Sequence, residues 1–599
     1  MKVKHFAWAG LGALFALSSG SQLHALQKAA LQEKLSSSEP VSFDVYLPQQ
    51  HKKELAQLLS DLQNPSSPQY HQWLTPAQFN SQFGPSSATV KAIKNELSGF
   101  GLTATLSSPH LLHVTGPASE VEQALGTPLR HGTMPSGKAV IVATSALSLP
   151  NAMSSANAVV TGLAGQVRMH TDSVRSADPQ NRYSPSGGYW FDDLKQAYTF
   201  PSFQSFTGKG STIAVLIPSG FSASDMAMYF GHEKLAVPNI SVRNVLGGTP
   251  FDPTSDNSFE AELDVQQSGG MAPDAHIVLY SIPDLSDESV IAGLVQVVED
   301  NSADVVNMSF GAAELLYSAD YNGGQDYSGI LVAEDEIMAQ GNALGITFVA
   351  SSGDYGAASV PPVACFETTN VPCGSFLPSV NFPASSPHVT GVGGTNLETV
   401  YDNSHPGDLN SAYVSEEAFG DPISADIVYG TAATGLFWAS GGGNSIVFAK
   451  PDYQTLVKTS AKVRTVPDVS LHMGGCPGVP AGVTVTCSPD DSFDYEVFGG
   501  EYAGVIGTSA SSPDFAGLTA LNIQRQGGRL GNENYYIYTL ASTDKNKVFH
   551  HNIPGFNGLY TSGNDGYNRV LGNGTIFGTQ FLSAPRTPVA GVPQTPSNP

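Results

Sequence analysis

Between Thr212 and Ala350 the chain alternates short, predominantly apolar runs (Thr212–Ile217, His276–Ser281, Asp304–Met308 and Ile346–Ala350) with stretches of helical period. A strand with one wet face carries apolar residues at every second position, whereas runs without that alternation belong to strands buried on both faces. Helices must then cover the sheet. The one expected after Ser286 presents Val290, Ile291, Leu294, Val297 and Val298 on a single face. The pattern predicts an α/β fold, a doubly wound parallel sheet with helices on both faces. Such sheets carry their sites beyond the carboxyl ends of strands. The turn Ser351-Ser352-Gly353-Asp354-Tyr355-Gly356 follows the last run and sets Asp354 at such an end.

Further along, Gly507-Thr508-Ser509-Ala510-Ser511-Ser512-Pro513 precedes Phe515, Ala516, Leu518 and Leu521. Pro513 and that apolar run read as the first turns of a buried helix, and Gly507 allows a tight turn ahead of the serine. Ser509 would face the positive end of the helix dipole, which makes it the candidate nucleophile. Serine-rich loops also occur by chance, so the assignment rests on partners. In Ser258-Phe259-Glu260-Ala261-Glu262-Leu263-Asp264-Val265, helical spacing places Glu260 and Asp264 one turn apart on one face. Like charges there repel, and a pair sharing one proton is an acid/base device. The alternative is a solvated helix face.

Taken in order, Glu260-x-x-x-Asp264, Ser-Gly-Asp354 and Gly-Thr-Ser509 resemble the sedolisin (serine-carboxyl peptidase) family. So do Val306-Asn307-Met308-Ser309-Phe310-Gly311, Phe382-Pro383-Ala384-Ser385-Ser386-Pro387, Val392-Gly393-Gly394-Thr395, Ser440-Gly441-Gly442-Gly443-Asn444-Ser445 and Val466-Pro467-Asp468-Val469. The resemblance implies a subtilisin-like sheet and an endopeptidase in which Ser509 attacks the peptide carbonyl. Glu260 would take its proton, Asp264 would hold and tune Glu260, and Asp354 would line the oxyanion hole. A carboxylate still accepts a proton in acid, where histidine is already charged, and an aspartate helps an oxyanion only when protonated. Acid-acting catalysis is therefore expected. Ser309, Gly311, Ser440, Gly441 and Gly442 are expected to wall the substrate cleft, where backbone pairs with an extended polypeptide.

Three competing readings are weighed against this one. A histidine-based triad needs a histidine with its own aspartate, but the segment expected to hold the base offers Glu260, and His276 is given no role. An esterase is disfavoured because Gly507-Thr508-Ser509 lacks the Gly-x-Ser-x-Gly elbow. A catalytically inactive binding protein on the same scaffold is countered by the joint presence of Glu260, Asp264, Asp354 and Ser509.

The 599 residues are 41% hydrophobic, enough for a real core, and the net charge of −25 argues against nucleic acid as a partner. No Lys or Arg occurs from Asn244 through Ala449, the region holding all three carboxylates of the candidate site. Residues 1–25 read as a secretory signal, with Lys2 and Lys4 ahead of an apolar run too short to span a bilayer. Export is expected, with no membrane attachment once the signal is removed. Four cysteines suit that compartment, and their spacing suggests bridges Cys365–Cys373 and Cys476–Cys487 among three arrangements. They lack the paired Cys-x-x-Cys spacing of a zinc site.

Residues 26–165 read as a small α+β domain, with Leu55, Leu58, Leu59 and Leu62 on one helical face and Val90, Ile93 and Leu97 on another. Its segments Asn64 to His71, Leu74-Thr75 and Phe83-Gly84-Pro85-Ser86 resemble the family's activation prodomain, which implies a removable inhibitor of the protein's own catalytic domain. Residues 166–188 read as a linker with the processing region, 189–580 as the peptidase domain, and 581–599 as a disordered Pro-rich tail. Nothing in the chain points to an oligomer, and a monomer is expected. The family places calcium near its C-terminus on two aspartates and several carbonyls. Here the corresponding positions are Asn552, Ile553, Gly566 and Asn568, with Asn in place of both acids and Asp565 as partial compensation. Calcium is left open rather than expected.

Overall fold

The computed structural model describes residues 27–175, 188–202, 205–363, 376–401, 411–422, 437–474, 493–563 and 566–586. The segment read as a signal, all four cysteines, Asp565 and the tail from residue 587 lie outside the described residues.

A ten-stranded sheet forms the centre. Its main order is Asn239–Asn244, His276–Ser281, Thr212–Ile217, Val305–Met308, Thr347–Ser351, Thr390–Tyr401, Val469–His472, Thr575–Ile576 and Phe549–His550. Neighbours are parallel as far as Thr575–Ile576, and the last pair is antiparallel. Ser411–Ala418 adds to the side of Thr390–Tyr401 as an antiparallel hairpin partner. Every residue from Ile213 to Ile217 and from Thr347 to Ser351 is buried, the two-sided burial that non-alternating apolar runs require. The helix Asp287–Asp300 starts where expected, because the Ser286 hydroxyl caps it by accepting from the Ser289 N–H.

Two further helices decide the site. Asp256–Met271 is buried at every position from Ser258 onward and packs along Thr508–Gln526. Their close approach depends on Gly517, where an added Cβ would lie 2.4 Å from the Met271 Cβ. The solvated-face alternative for Glu260 and Asp264 is therefore excluded, since both are wholly buried.

The N-terminal domain is the expected α+β unit. Its antiparallel sheet runs Thr103–Ser108, Leu111–Pro117, Pro40–Tyr46, Val159–Thr161, and Val41, Phe43, Ile93, Leu97 and Val114 form a core of its own. The face carrying Leu55, Leu59 and Leu62 turns the other way and joins the core of the large domain. Each buried leucine contributes roughly 1.5–3 kcal/mol to that docking. Polar contacts fix its register: Glu336 accepts from the Gln49 N–H at 3.0 Å and pairs with Lys52, and the Leu74 N–H donates to the Ala343 carbonyl at 2.9 Å.

Candidate active site

The helix bearing Ser509 begins at Thr508, five residues before Pro513, which falls in its second turn. Gly507, at φ 134°, supplies the break in the chain. Proline in the second turn lacks the N–H that would bond back to the Ser509 carbonyl four residues earlier. The first N–H groups of a helix have no partner within it, and here their destinations define the site. Gly507 donates to the Met473 carbonyl at 2.8 Å and Thr508 to Asp354 Oδ1 at 2.7 Å, while Ser509 donates to the Asp172 carbonyl at 3.1 Å. Glycine at 507 also leaves room: a Cβ there would stand 2.3 Å from the Asp172 carbonyl oxygen and 2.6 Å from Asp354 Oδ2.

Glu260, Asp264, Asp354 and Ser509 come together around this helix start, all buried. Asp354 follows the strand Thr347–Ser351 and also accepts from the Thr508 hydroxyl at 2.9 Å, while its Oδ2 has no partner among the described residues. The Ser309 hydroxyl donates to Asp264 Oδ1 at 2.5 Å and is itself held by Asn307 Nδ2 at 2.9 Å. The Ser509 hydroxyl donates to the Ser309 carbonyl at 3.3 Å and also interacts with Glu260. Burial and the Asp264 carboxyl hold Glu260 well above the usual carboxylate range. Burial raises Asp264 to about 8, and burial with the Asp172 charge raises Asp354 well above its ordinary value. The site is thus a set of coupled carboxyl groups that prefer to stay protonated.

The stretch read as a linker enters this site. His170 and Thr171 pair antiparallel with Gly311 and Phe310, and the Asp172 N–H donates to the Ser309 carbonyl at 3.3 Å. The Ser173 hydroxyl donates to Glu260 Oε2, after which Val174 and Arg175 pair with Ile506 and Val505. One extended strand therefore crosses the cleft with its Asp172 carbonyl on the Ser509 N–H. Arg168 anchors it from behind: fully buried, it bonds Asp287 at 2.8 Å and Asn322 at 3.0 Å and lies 4.7 Å from the rings of Tyr317 and Tyr327.

Of the expected cleft walls, Ser309 and Gly311 meet this strand. Ser440, Gly441 and Gly442 meet other segments. Gly441 donates to the Gly353 carbonyl at 2.6 Å, Ser440 to the Phe419 carbonyl at 3.0 Å, and a Cβ on Gly442 would sit 2.2 Å from the Arg569 carbonyl oxygen. The segment is buried and braces the turn that carries Asp354. Asp172, Ser173, Ser351 and Asn307 are the site residues that motif reasoning missed. His276 bonds Ser241 on the adjacent strand.

Asn552, Ile553, Gly566 and Asn568 also come together, lining one small cavity with His551, Asn573 and Gly574. They do not fit a calcium cage. None of the described lining residues is acidic, and Asn568 Oδ1 already accepts from the Val570 and Leu571 N–H groups at 3.0 and 2.9 Å. Among the described residues no cluster of three or more His, Cys, Asp or Glu is placed to hold a metal. Differential scanning calorimetry with and without EDTA is expected to give unfolding midpoints within about 1 °C, because a ligand that does not bind the native state cannot stabilise it.

Comparison with known proteins bears on the family and the fold. Residues 27–165 match the pro-kumamolisin activation domain, and residues 246–574 match the subtilase family. Sedolisin from Pseudomonas sp. (strain 101) is 29% identical over 567 residues, covering 92% of this chain and 87% of its own. Kumamolisin from Bacillus sp. (strain MN-32) is 26% identical over 490 residues, covering 79% and 78%. The solved structure of Pseudomonas sedolisin with two molecules of pseudo-iodotyrostatin superposes with a TM-score of 0.52 at 26% identity, over 66% of this chain and 97% of that one. The chain therefore belongs to the subtilase family and, within it, to the sedolisin group of serine-carboxyl peptidases, as a proenzyme with an N-terminal activation domain.

Proposed function

We propose that this protein is a secreted, acid-acting serine-carboxyl endopeptidase whose precursor holds its own chain in the cleft. The observation that carries the reading is the strand 170–175, paired on both sides of the site, with a peptide carbonyl on the Ser509 N–H beside the Asp354 carboxyl. A cleft that a polypeptide crosses from end to end favours cutting within chains. The secretory reading of residues 1–25 carries export.

Ser509 Oγ attacks the carbonyl carbon and passes its proton to Glu260. The oxyanion takes hydrogen bonds from the Ser509 N–H and from protonated Asp354. Glu260 then returns the proton to the leaving amine, and water repeats the sequence on the acyl-enzyme. Asp264, locked by Ser309, keeps Glu260 aimed and shares its proton. In the precursor the Ser173 hydroxyl occupies Glu260 and water is excluded. When the strand loosens in acid, before its own cut as after its release, water reaches Glu260, relieves its desolvation and lets it ionise, while Asp354 stays protonated.

An acid shift of the purified precursor to about pH 4, followed by intact mass and by hydrolysis of denatured protein, tests this. The prodomain mass is expected to disappear as activity rises. A wild-type chain that stays whole and inert from neutral to strongly acidic pH would transfer the reading to a binding protein.

A further inference from the structure

The side chain of Asp172 shows what the pocket beneath the attacked carbonyl is built to hold, an inference that rests on the peptidase reading above. Its carboxyl is fully enclosed. Ser351, the last residue of its strand and itself buried, donates its hydroxyl to Asp172 Oδ2 at 2.7 Å. His170 Nε2 lies 3.5 Å from Oδ1, which makes no hydrogen bond among the described residues. The acidic groups facing it are Asp354 from the turn and Glu260 from its helix, with Asp264 behind Glu260. No Lys or Arg occurs between residues 244 and 449 to balance them.

An ionised side chain in this pocket would lose its hydration with no Lys or Arg among the described residues paired to it, whereas a neutral carboxyl keeps the Ser351 bond at little cost. A side chain with no polar atom would leave the buried Ser351 hydroxyl unsatisfied, the kind of mismatch on which enzymes discriminate strongly. Burial accordingly lifts Asp172 to about 7, against the opposing Ser351 bond, and lowers His170 to about 4, so His170 is uncharged at mildly acidic pH.

We propose that the subsite for the residue whose carbonyl Ser509 attacks selects aspartate in its uncharged acid form through the Ser351 hydroxyl, and that the Asp172–Ser173 bond is its first substrate. In that step Ser509 Oγ bonds to the Asp172 carbonyl carbon and its proton moves to Glu260. The bond to the Ser173 nitrogen breaks, and that nitrogen takes the proton from Glu260. Water then cleaves the ester, leaving Asp172 as a new C-terminus and Ser173 as a new N-terminus.

The test uses the full-length precursor and the enzyme it matures into. After an acid shift, N-terminal sequencing is expected to find Ser173 first, and Asp172→Leu is expected to slow cleavage there at least about tenfold. Peptides spanning residues 168–177, with Asp, Asn, Leu or Lys at position 172, then read the subsite directly. At pH 4 the Asp peptide is expected to exceed the Leu and Lys peptides in kcat/KM by at least about tenfold, and to lose its advantage over Asn above about pH 7. Ser351→Ala is expected to shrink the ratio of Asp to Leu. Equal or faster cleavage of the Leu or Lys peptide, or a first cut elsewhere with Asp172–Ser173 intact, overturns the inference and leaves the peptidase reading standing. If no peptide is cut and wild type behaves as Ser509→Ala, both fall.

Discussion

Ser509→Ala is expected to give a full-length precursor that folds like wild type, never sheds its prodomain in acid, and hydrolyses denatured protein at least about 10⁴-fold more slowly. The loss is large because attack has no other route: the Asp172 carbonyl that marks the reacting position is held by the Ser509 backbone, which the substitution keeps. The fold survives because the hydroxyl's bond to the Ser309 carbonyl is long, 3.3 Å, and worth about 1 kcal/mol or less. Alanine also suits a helix better than serine. Intact mass, unfolding midpoint and kcat/KM on one preparation separate the effects. Retention of a tenth of the activity would remove Ser509 from the mechanism.

The second large effect is on Glu260→Gln. The amide keeps the size and much of the hydrogen bonding with Ser173 but cannot accept the serine proton, so kcat should fall about 10³-fold or more. The same change alters how stability depends on pH. Asp172 rises from 3.8 to about 7, Asp264 from 3.8 to about 8, and Glu260 lies well above 4.5 in the folded chain. Between their unfolded and folded values the native state binds more protons than the unfolded one, so stability falls as pH rises. Their contribution is fully present below about pH 4 and is lost as pH climbs through about 7–8. In the uncleavable Ser509→Ala precursor the unfolding midpoint is expected to drop on the order of 5–10 °C from pH 4 to pH 8. Adding Glu260→Gln should flatten that slope. A midpoint that rises over the same range would contradict the protonated cluster.

Much of the fold is legible in the sequence. The apolar runs at 212–217 and 276–281 match the observed strands residue for residue, and those near 305 and 347 differ by one residue. Period and two-sided burial are local properties, which is why they read well. Glu260, Asp264, Asp354 and Ser509 could be singled out because they sit in three recognisable motifs, Glu260 and Asp264 sharing one. Asp172 and Ser173 could not, since nothing in Thr171-Asp172-Ser173 distinguishes it from linker until Gly311, Ser309 and Ile506 flank it. The partners of the Ser440–Gly442 run were hidden for a related reason. Glycines show that backbones approach closely, but not whether the neighbour is a substrate or, as here, Gly353.

The amino-acid order alone determined a two-faced parallel sheet, a small N-terminal α+β domain, a stretch from 244 to 449 without Lys or Arg, and the residue types proposed for serine chemistry. Only the tertiary structure decided that Glu260 and Asp264 are buried rather than solvated, and that the Ser509 N–H meets the Asp172 carbonyl while Asp354 bonds the neighbouring Thr508. Periodicity follows from spacing along the chain. Burial, proton affinity and the occupant of the cleft follow from which distant segments exclude water together.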